Sequence, residues 1–206
     1  MITMHKPVFT VLGDSISVGY TPYLKEELRE FEFVPKTEGK EAYEDLDIPR
    51  GANCGDSRML LEYARAAEAD GKLTWDLYIV NAGLHDIRIE PETGVRQVSD
   101  AEYRQNLSML FELLLRQGAR VIFVNTTNAD EAVHNARIQK FWRFSRDVAA
   151  VNQIAGEVCR TYGVELIDLY TSRWDLEKRG IRTTSTTPRK YRKNRRRTLR
   201  KRSGVL

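Results

Sequence analysis

Three histidines and two cysteines are all this 206-residue chain offers of the side chains most used to bind zinc or form cross-links. Cys54 and Cys159 are too few for a disulfide framework, and no Cys/His cluster falls at zinc-ligand spacing. The expectation is a protein with no metal and no cofactor. No apolar run approaches the ~18–20 residues of a membrane span. The run Val8–Leu12 is too short for the core of a secretory signal. A cytoplasmic location and no membrane partner are therefore expected.

Acid is absent from residues 183–206, which carry ten Lys/Arg. Residues 1–182 then hold 23 basic against 29 acidic side chains, a net of −6. The sequence reads as one mildly acidic domain over 1–182, large enough to bury a core without staples. A strongly basic tail follows over 183–206, expected to be disordered or the product of a shifted reading frame. No repeat or low-complexity segment precedes it.

What is present alternates. The buried-strand patterns are Val8–Leu12, Phe33-Val34, Leu77–Val80, Arg120–Asn125 and Val164–Leu169. Between them lie helical stripes. Thr21-Pro22 reads as a helix start ahead of Leu24, Leu28 and Phe31. Asp56-Ser57 caps a helix carrying Leu60, Tyr63 and Ala67. Ser99 and Glu102 have capping-box spacing before Tyr103, Leu107, Leu110 and Leu114. Ile138–Tyr162 reads as one long helix. Strands alternating with helices predict a flavodoxin-like three-layer α/β/α fold with a mostly parallel, doubly wound sheet of about five strands.

In that fold Ser15, Gly55, His85 and Thr126 all fall at or beyond carboxyl ends of strands, the edge where open α/β sheets bind ligands. Gly13-Asp14-Ser15 ends the first strand; the glycine permits a tight turn and the approach of a substrate. Gly-Asp-Ser also serves ordinary turns, where Asp and Ser satisfy backbone amides. Gly55 stands before a helix N-terminus, where its N–H is expected to be free to face negative charge.

Val11-Leu12-Gly13-Asp14-Ser15-Ile16-Ser17-Val18-Gly19-Tyr20 resembles the first block of the SGNH, or GDSL, family of serine esterases. Ala52-Asn53-Cys54-Gly55-Asp56-Ser57 resembles the second block and Asn81-Ala82-Gly83-Leu84-His85-Asp86 the third, with His85 where most members carry Asn. The resemblance runs to about Arg182. It implies an ester hydrolase with Ser15 as nucleophile, the Ser15 and Gly55 amides as oxyanion donors, and His85 as a third donor. Imidazole N–H is chemically suited to that task. Alternatively, His85 is structural, hydrogen-bonded to Asp86. Gly13, Asp14 and Asp86 are supporting residues. Tyr20, Thr126 and His134 are assigned to the substrate pocket, with a plain surface histidine the other reading of His134. Trp75, Trp142 and Trp174 read as packing, and His5 as solvated.

The implied substrates are short acyl esters, O-acetyl groups on carbohydrate foremost. The family's Asp-X-X-His block, which supplies the base, has no counterpart, since no histidine follows His134. Shifting the frame over Thr183–Lys190 gives codons that can spell Asp-Asp-Val-His-Tyr-Thr-Pro-Glu, the missing block at its place. An impaired esterase is the resulting expectation. Its rival is a non-catalytic protein of the same fold, binding nucleic acid or an anionic surface nonspecifically through residues 183–206.

Overall fold

In the computed structural model, residues 6–128 and 130–171 are described here. Five strands form one parallel sheet: β1 (Val8–Leu12), β2 (Glu32–Phe33), β3 (Leu77–Val80), β4 (Arg120–Val124) and β5 (Glu165–Ile167). Their spatial order is β2-β1-β3-β4-β5, the flavodoxin-like winding. Strand order reverses between β1 and β3, the place where open parallel sheets of this winding bind ligands at the carboxyl edge. The helices are α1 (Ser15–Glu27), α2 (Ser57–Ala69), α3 (Asp100–Leu115), α4 (Glu131–Arg137) and α5 (Ser145–Tyr162).

Side chains alternate across a strand, so each strand feeds two cores. Leu12, Tyr78, Val80 and Phe123 pack with Leu60, Leu107, Phe111, Val148 and Val151 from α2, α3 and α5. Phe9, Val11, Leu77, Ile79, Ile122 and Val124 face the other way, toward Tyr20 and Leu24 of α1 and its C-cap residue Leu28. Strand β5 is the exception to this burial. All three of its residues are exposed, Leu166 at 38% and Ile167 at 43%.

Several boundaries differ from those the sequence predicts. Helix α1 begins at Ser15, not Thr21, because Asp14 caps it directly, and Pro22 lies inside the helix. The second strand is Glu32–Phe33 rather than Phe33-Val34. The long helix starts at Ser145, not Ile138. Before it the chain is extended, with Trp142 paired antiparallel to Ile89 and Phe144 as the extended N-cap residue. The intervening stretch after β4 holds the short helix α4. His5, Trp174 and the region where an Asp-X-X-His block was sought lie outside the described residues. No described helix is long and apolar enough to cross a membrane.

Candidate active site

Ser15 is the first residue of α1 and sits directly past the carboxyl end of β1. It is half-buried, and among the described residues nothing hydrogen-bonds its hydroxyl. Asp14, fully buried, accepts the Ile16 amide on Oδ1 at 2.8 Å and the Leu84 amide on Oδ2 at 3.3 Å. With Ile16 capped by Asp14, the Ser15 amide is left without a partner among the described residues, at the helix N-terminus. Burial pushes the Asp14 carboxyl up to about 6, against the pull of the Ile16 amide and of Arg143.

Gly13 cannot carry a Cβ, but the reason is protein packing rather than room for a substrate. An added Cβ would stand 2.8 Å from the Asn81 carbonyl oxygen and 2.9 Å from the Ser17 Cβ. This close approach locks the ends of β1 and β3 together. Asn81 extends the lock, its Nδ2 donating to the Val124 carbonyl at the end of β4.

Gly55 adopts φ +76°, a conformation L side chains rarely adopt, and a Cβ there would meet Met59 and Pro49. Its amide is not free: it donates to Asn53 Oδ1 at 3.0 Å. The expectation of an unoccupied donor fails because Asn53 folds back in an Asx turn. Asp56 caps α2, accepting the Arg58 and Met59 amides.

His85 is fully buried on the loop after β3. It makes no hydrogen bond to Asp86, which instead accepts the Ser57 amide at 2.9 Å and so holds the start of α2. Burial pushes the Asp86 carboxyl up to about 7, and its Oδ2 has no hydrogen-bond partner. His85 Nε2 lies 3.4 Å from Arg88 Nη2. A guanidinium only donates, so Nε2 is the acceptor and the neutral ring carries its proton on Nδ1. Among the described residues Nδ1 makes no hydrogen bond within normal geometry, although the Leu46 carbonyl lies near enough to the ring to pull its pKa up. Burial, then the charges of Arg88 and Arg143, hold the ring well below the ordinary histidine pKa, so it stays neutral.

The residues assigned to the pocket divide. Thr126 is fully buried, its amide and carbonyl clamped by Asn152 of α5 at 3.0 and 2.8 Å. Tyr20 packs against the α1-side core with its hydroxyl buried. Both hydroxyls are buried, with no hydrogen-bond partner among the described residues. His134, in α4, is half-buried, with its ring 5.4 Å from that of Phe141. Burial lowers its pKa, with Arg143 adding to the effect. Sequence reasoning missed Arg88, Arg143, Asp47 and Asn152. A lone arginine in Ile87-Arg88-Ile89, two residues after Asp86, was a visible signal; nothing in the sequence marks Arg143.

Among the described residues, no group of three His, Cys, Asp or Glu side chains is placed to hold a metal ion. The set of a free serine hydroxyl, a free helix-terminal amide and a buried imidazole N–H suits acyl transfer, in which a nucleophile attacks and donors receive the developing negative charge.

The model of the GDSL-like lipase/acylhydrolase family matches residues 11–188. No curated protein sequence matches the chain. Among solved structures, a lipase/acylhydrolase from Enterococcus faecalis superposes with TM-score 0.60 at 17% identity, over 82% of this chain and 79% of that one. An acetyl xylan esterase, AlAXEase, gives 0.62 at 16%, over 97% and 100%. A GDSL-like lipase from Bacteroides thetaiotaomicron gives 0.55 at 14%, over 82% and 71%. At such identities the likeness is one of fold.

Proposed function

Because this chain belongs to the GDSL-like lipase/acylhydrolase family, we propose that it is a serine esterase acting on short acyl esters, O-acetyl groups on carbohydrate foremost, with Ser15 as nucleophile. The observation that carries this reading is the Ser15 hydroxyl, unbonded among the described residues, at the switch point between β1 and β3 and beside its own amide at the start of α1. That amide is the first oxyanion donor and His85 Nδ1–H the second. Gly55 contributes its amide if Asn53 Oδ1 releases it as the oxyanion forms. Asp14 and Asp86 position loops and do not touch the acyl group.

No histidine follows His134, so the chain lacks the base that the family draws from its Asp-X-X-His block. A serine without an activating base is a weak nucleophile, and loss of a triad member costs on the order of 10⁴–10⁶-fold in rate. The 206-residue chain is therefore an impaired form. Sequencing the gene tests this: the shifted frame should encode Asp-Asp-Val-His-Tyr-Thr-Pro-Glu over codons 183–190, and restoring it should recover turnover. Labelling with a fluorophosphonate tests the nucleophile. The frame-restored protein should label and its Ser15→Ala variant should not; equal labelling of both would remove Ser15 from the mechanism.

A further inference from the structure

The antiparallel bridge between Ile89 and Trp142 creates an unusual pairing on the same sheet edge. The Ile89 amide donates to the Trp142 carbonyl at 2.9 Å and the Trp142 amide to Ile89 at 2.8 Å. That register sets Arg88 opposite Arg143, and like charges directly across a ribbon repel. The pair is nevertheless built in. Asn135 of α4 grips the Arg143 backbone twice, at 2.9 and 3.0 Å. Both guanidiniums lie against the Phe141 ring, with Cζ 4.1 Å from its centroid for Arg88 and 4.8 Å for Arg143.

The carboxylate that serves both arginines is Asp47, and it serves them poorly. Its Oδ1 stands 3.8 Å from Arg88 Nη2 and 3.5 Å from Arg143 Nη1, beyond the ~2.7–2.9 Å of a charge-assisted hydrogen bond. Arg88 Nη2 donates instead to the Asp47 backbone carbonyl at 2.7 Å. Among the described residues, Arg143 Nη2, Arg88 Nε and His134 Nε2 are buried with no hydrogen-bond partner. The side chain of Arg143 is only 5% exposed, and an unbonded guanidinium nitrogen at that depth is costly. Burial, then repulsion from Arg88, lowers the Arg143 pKa to about 10, against the pull of Asp47 and Asp14.

The cluster is also joined to the nucleophile. Arg143 Nε donates to the Leu84 carbonyl at 2.9 Å, the Leu84 amide donates to Asp14 Oδ2, and Asp14 precedes Ser15. On the basis of the esterase reading of this same edge, we propose that Arg88 and Arg143 form a carboxylate subsite, so that the ester cleaved at Ser15 is carried by an acidic molecule such as an O-acylated uronic acid. Asp47, about a third exposed, holds the arginines loosely in the free protein and is the group the substrate carboxylate displaces. The planar forks suit a carboxylate, and the exchange supplies the bonds that Asp47 leaves unmade.

The test is binding, which needs no catalytic base. Isothermal titration of the full 206-residue chain at low ionic strength should show D-glucuronate binding at least about tenfold more tightly than D-glucose. Arg88→Gln and Arg143→Lys should each weaken glucuronate about tenfold or more while melting as cooperatively as wild type. Asp47→Asn should tighten it, because the resident competitor is gone; this variant keeps the test decisive should Arg143→Lys fail to fold. Ser15→Ala should bind glucuronate as wild type does, so that failure of the esterase reading and failure of the subsite give different results. Equal affinity for glucuronate and glucose, unchanged binding in Arg88→Gln, or tighter binding of inorganic phosphate than of glucuronate would overturn the proposal.

Discussion

His85 shows how one substitution in a motif is carried by its neighbours. An asparagine side chain presents an N–H whatever surrounds it, whereas an imidazole does so only in the right tautomer. Arg88 supplies that condition by donating toward Nε2 and leaving the proton on Nδ1. In the frame-restored enzyme His85→Ala should lower p-nitrophenyl acetate turnover by roughly 10²–10³-fold, the usual cost of one oxyanion donor. His85→Asn should retain much more. Equal losses in the two variants would assign His85 to packing instead. The Ser15, His85 and Asp86 positions were legible because motif residues are contiguous. The occupied Gly55 amide was not, because Asn53 is equally able to point outward, and it is fixed inward by its own donation to the Leu46 and Ile48 carbonyls.

At the scale of elements, the helix stripes were readable and their starts were not. Phe144, Val148 and Val151 keep helical spacing, but spacing alone does not reveal that Trp142 has already been recruited to pair with Ile89. The start of α1 was hidden in a similar way: Pro22 suggested a first turn, while Asp14 caps eight residues earlier. Helix α5 does more than cover the sheet, since Asn152 is the partner of both the amide and the carbonyl of Thr126 at the end of β4. Asn152→Ala leaves that pair unmade in a buried strand end and should destabilise the fold by about 1–3 kcal/mol, read from the shift in urea midpoint. A change below a few tenths of a kcal/mol would mean that water replaces the amide without cost.

For the whole molecule, the buried carboxyls set a dependence of stability on pH. Asp14 is raised from 3.8 to about 6 and Asp86 to about 7, so the folded state holds these protons more tightly than the unfolded chain. Their contribution is complete below pH 3.8 and is lost as pH rises through 6 and 7. Asp56, held low by Gln97 and the Met59 amide despite its burial, acts in the opposite sense and only below its ordinary pKa. Stability should therefore fall between about pH 4 and pH 7, by a few kcal/mol at most. Asp86→Asn should flatten the upper part of that fall; an unchanged profile in urea titrations at both pH values would show that Asp86 is ionised in the fold. The architecture itself was legible from the alternation of strands and helices, down to the carboxyl edge that gathers Ser15, His85 and Asp86. The Arg88 and Arg143 pairing was not, because it depends on a two-residue bridge between segments over fifty residues apart.

Strand β5, bare on all three of its residues, has a kinetic consequence. Alternate residues of β5 pair with a β4 edge whose other side is sealed by β3, the Ile167 carbonyl accepting the Asn125 amide, yet little side-chain packing opposes their opening. Amide hydrogens along the sheet should therefore exchange with deuterium in a graded order. Those of β3 and β4 facing inward should survive until global unfolding, while those of Leu166 and Ile167 are released by local fraying orders of magnitude sooner.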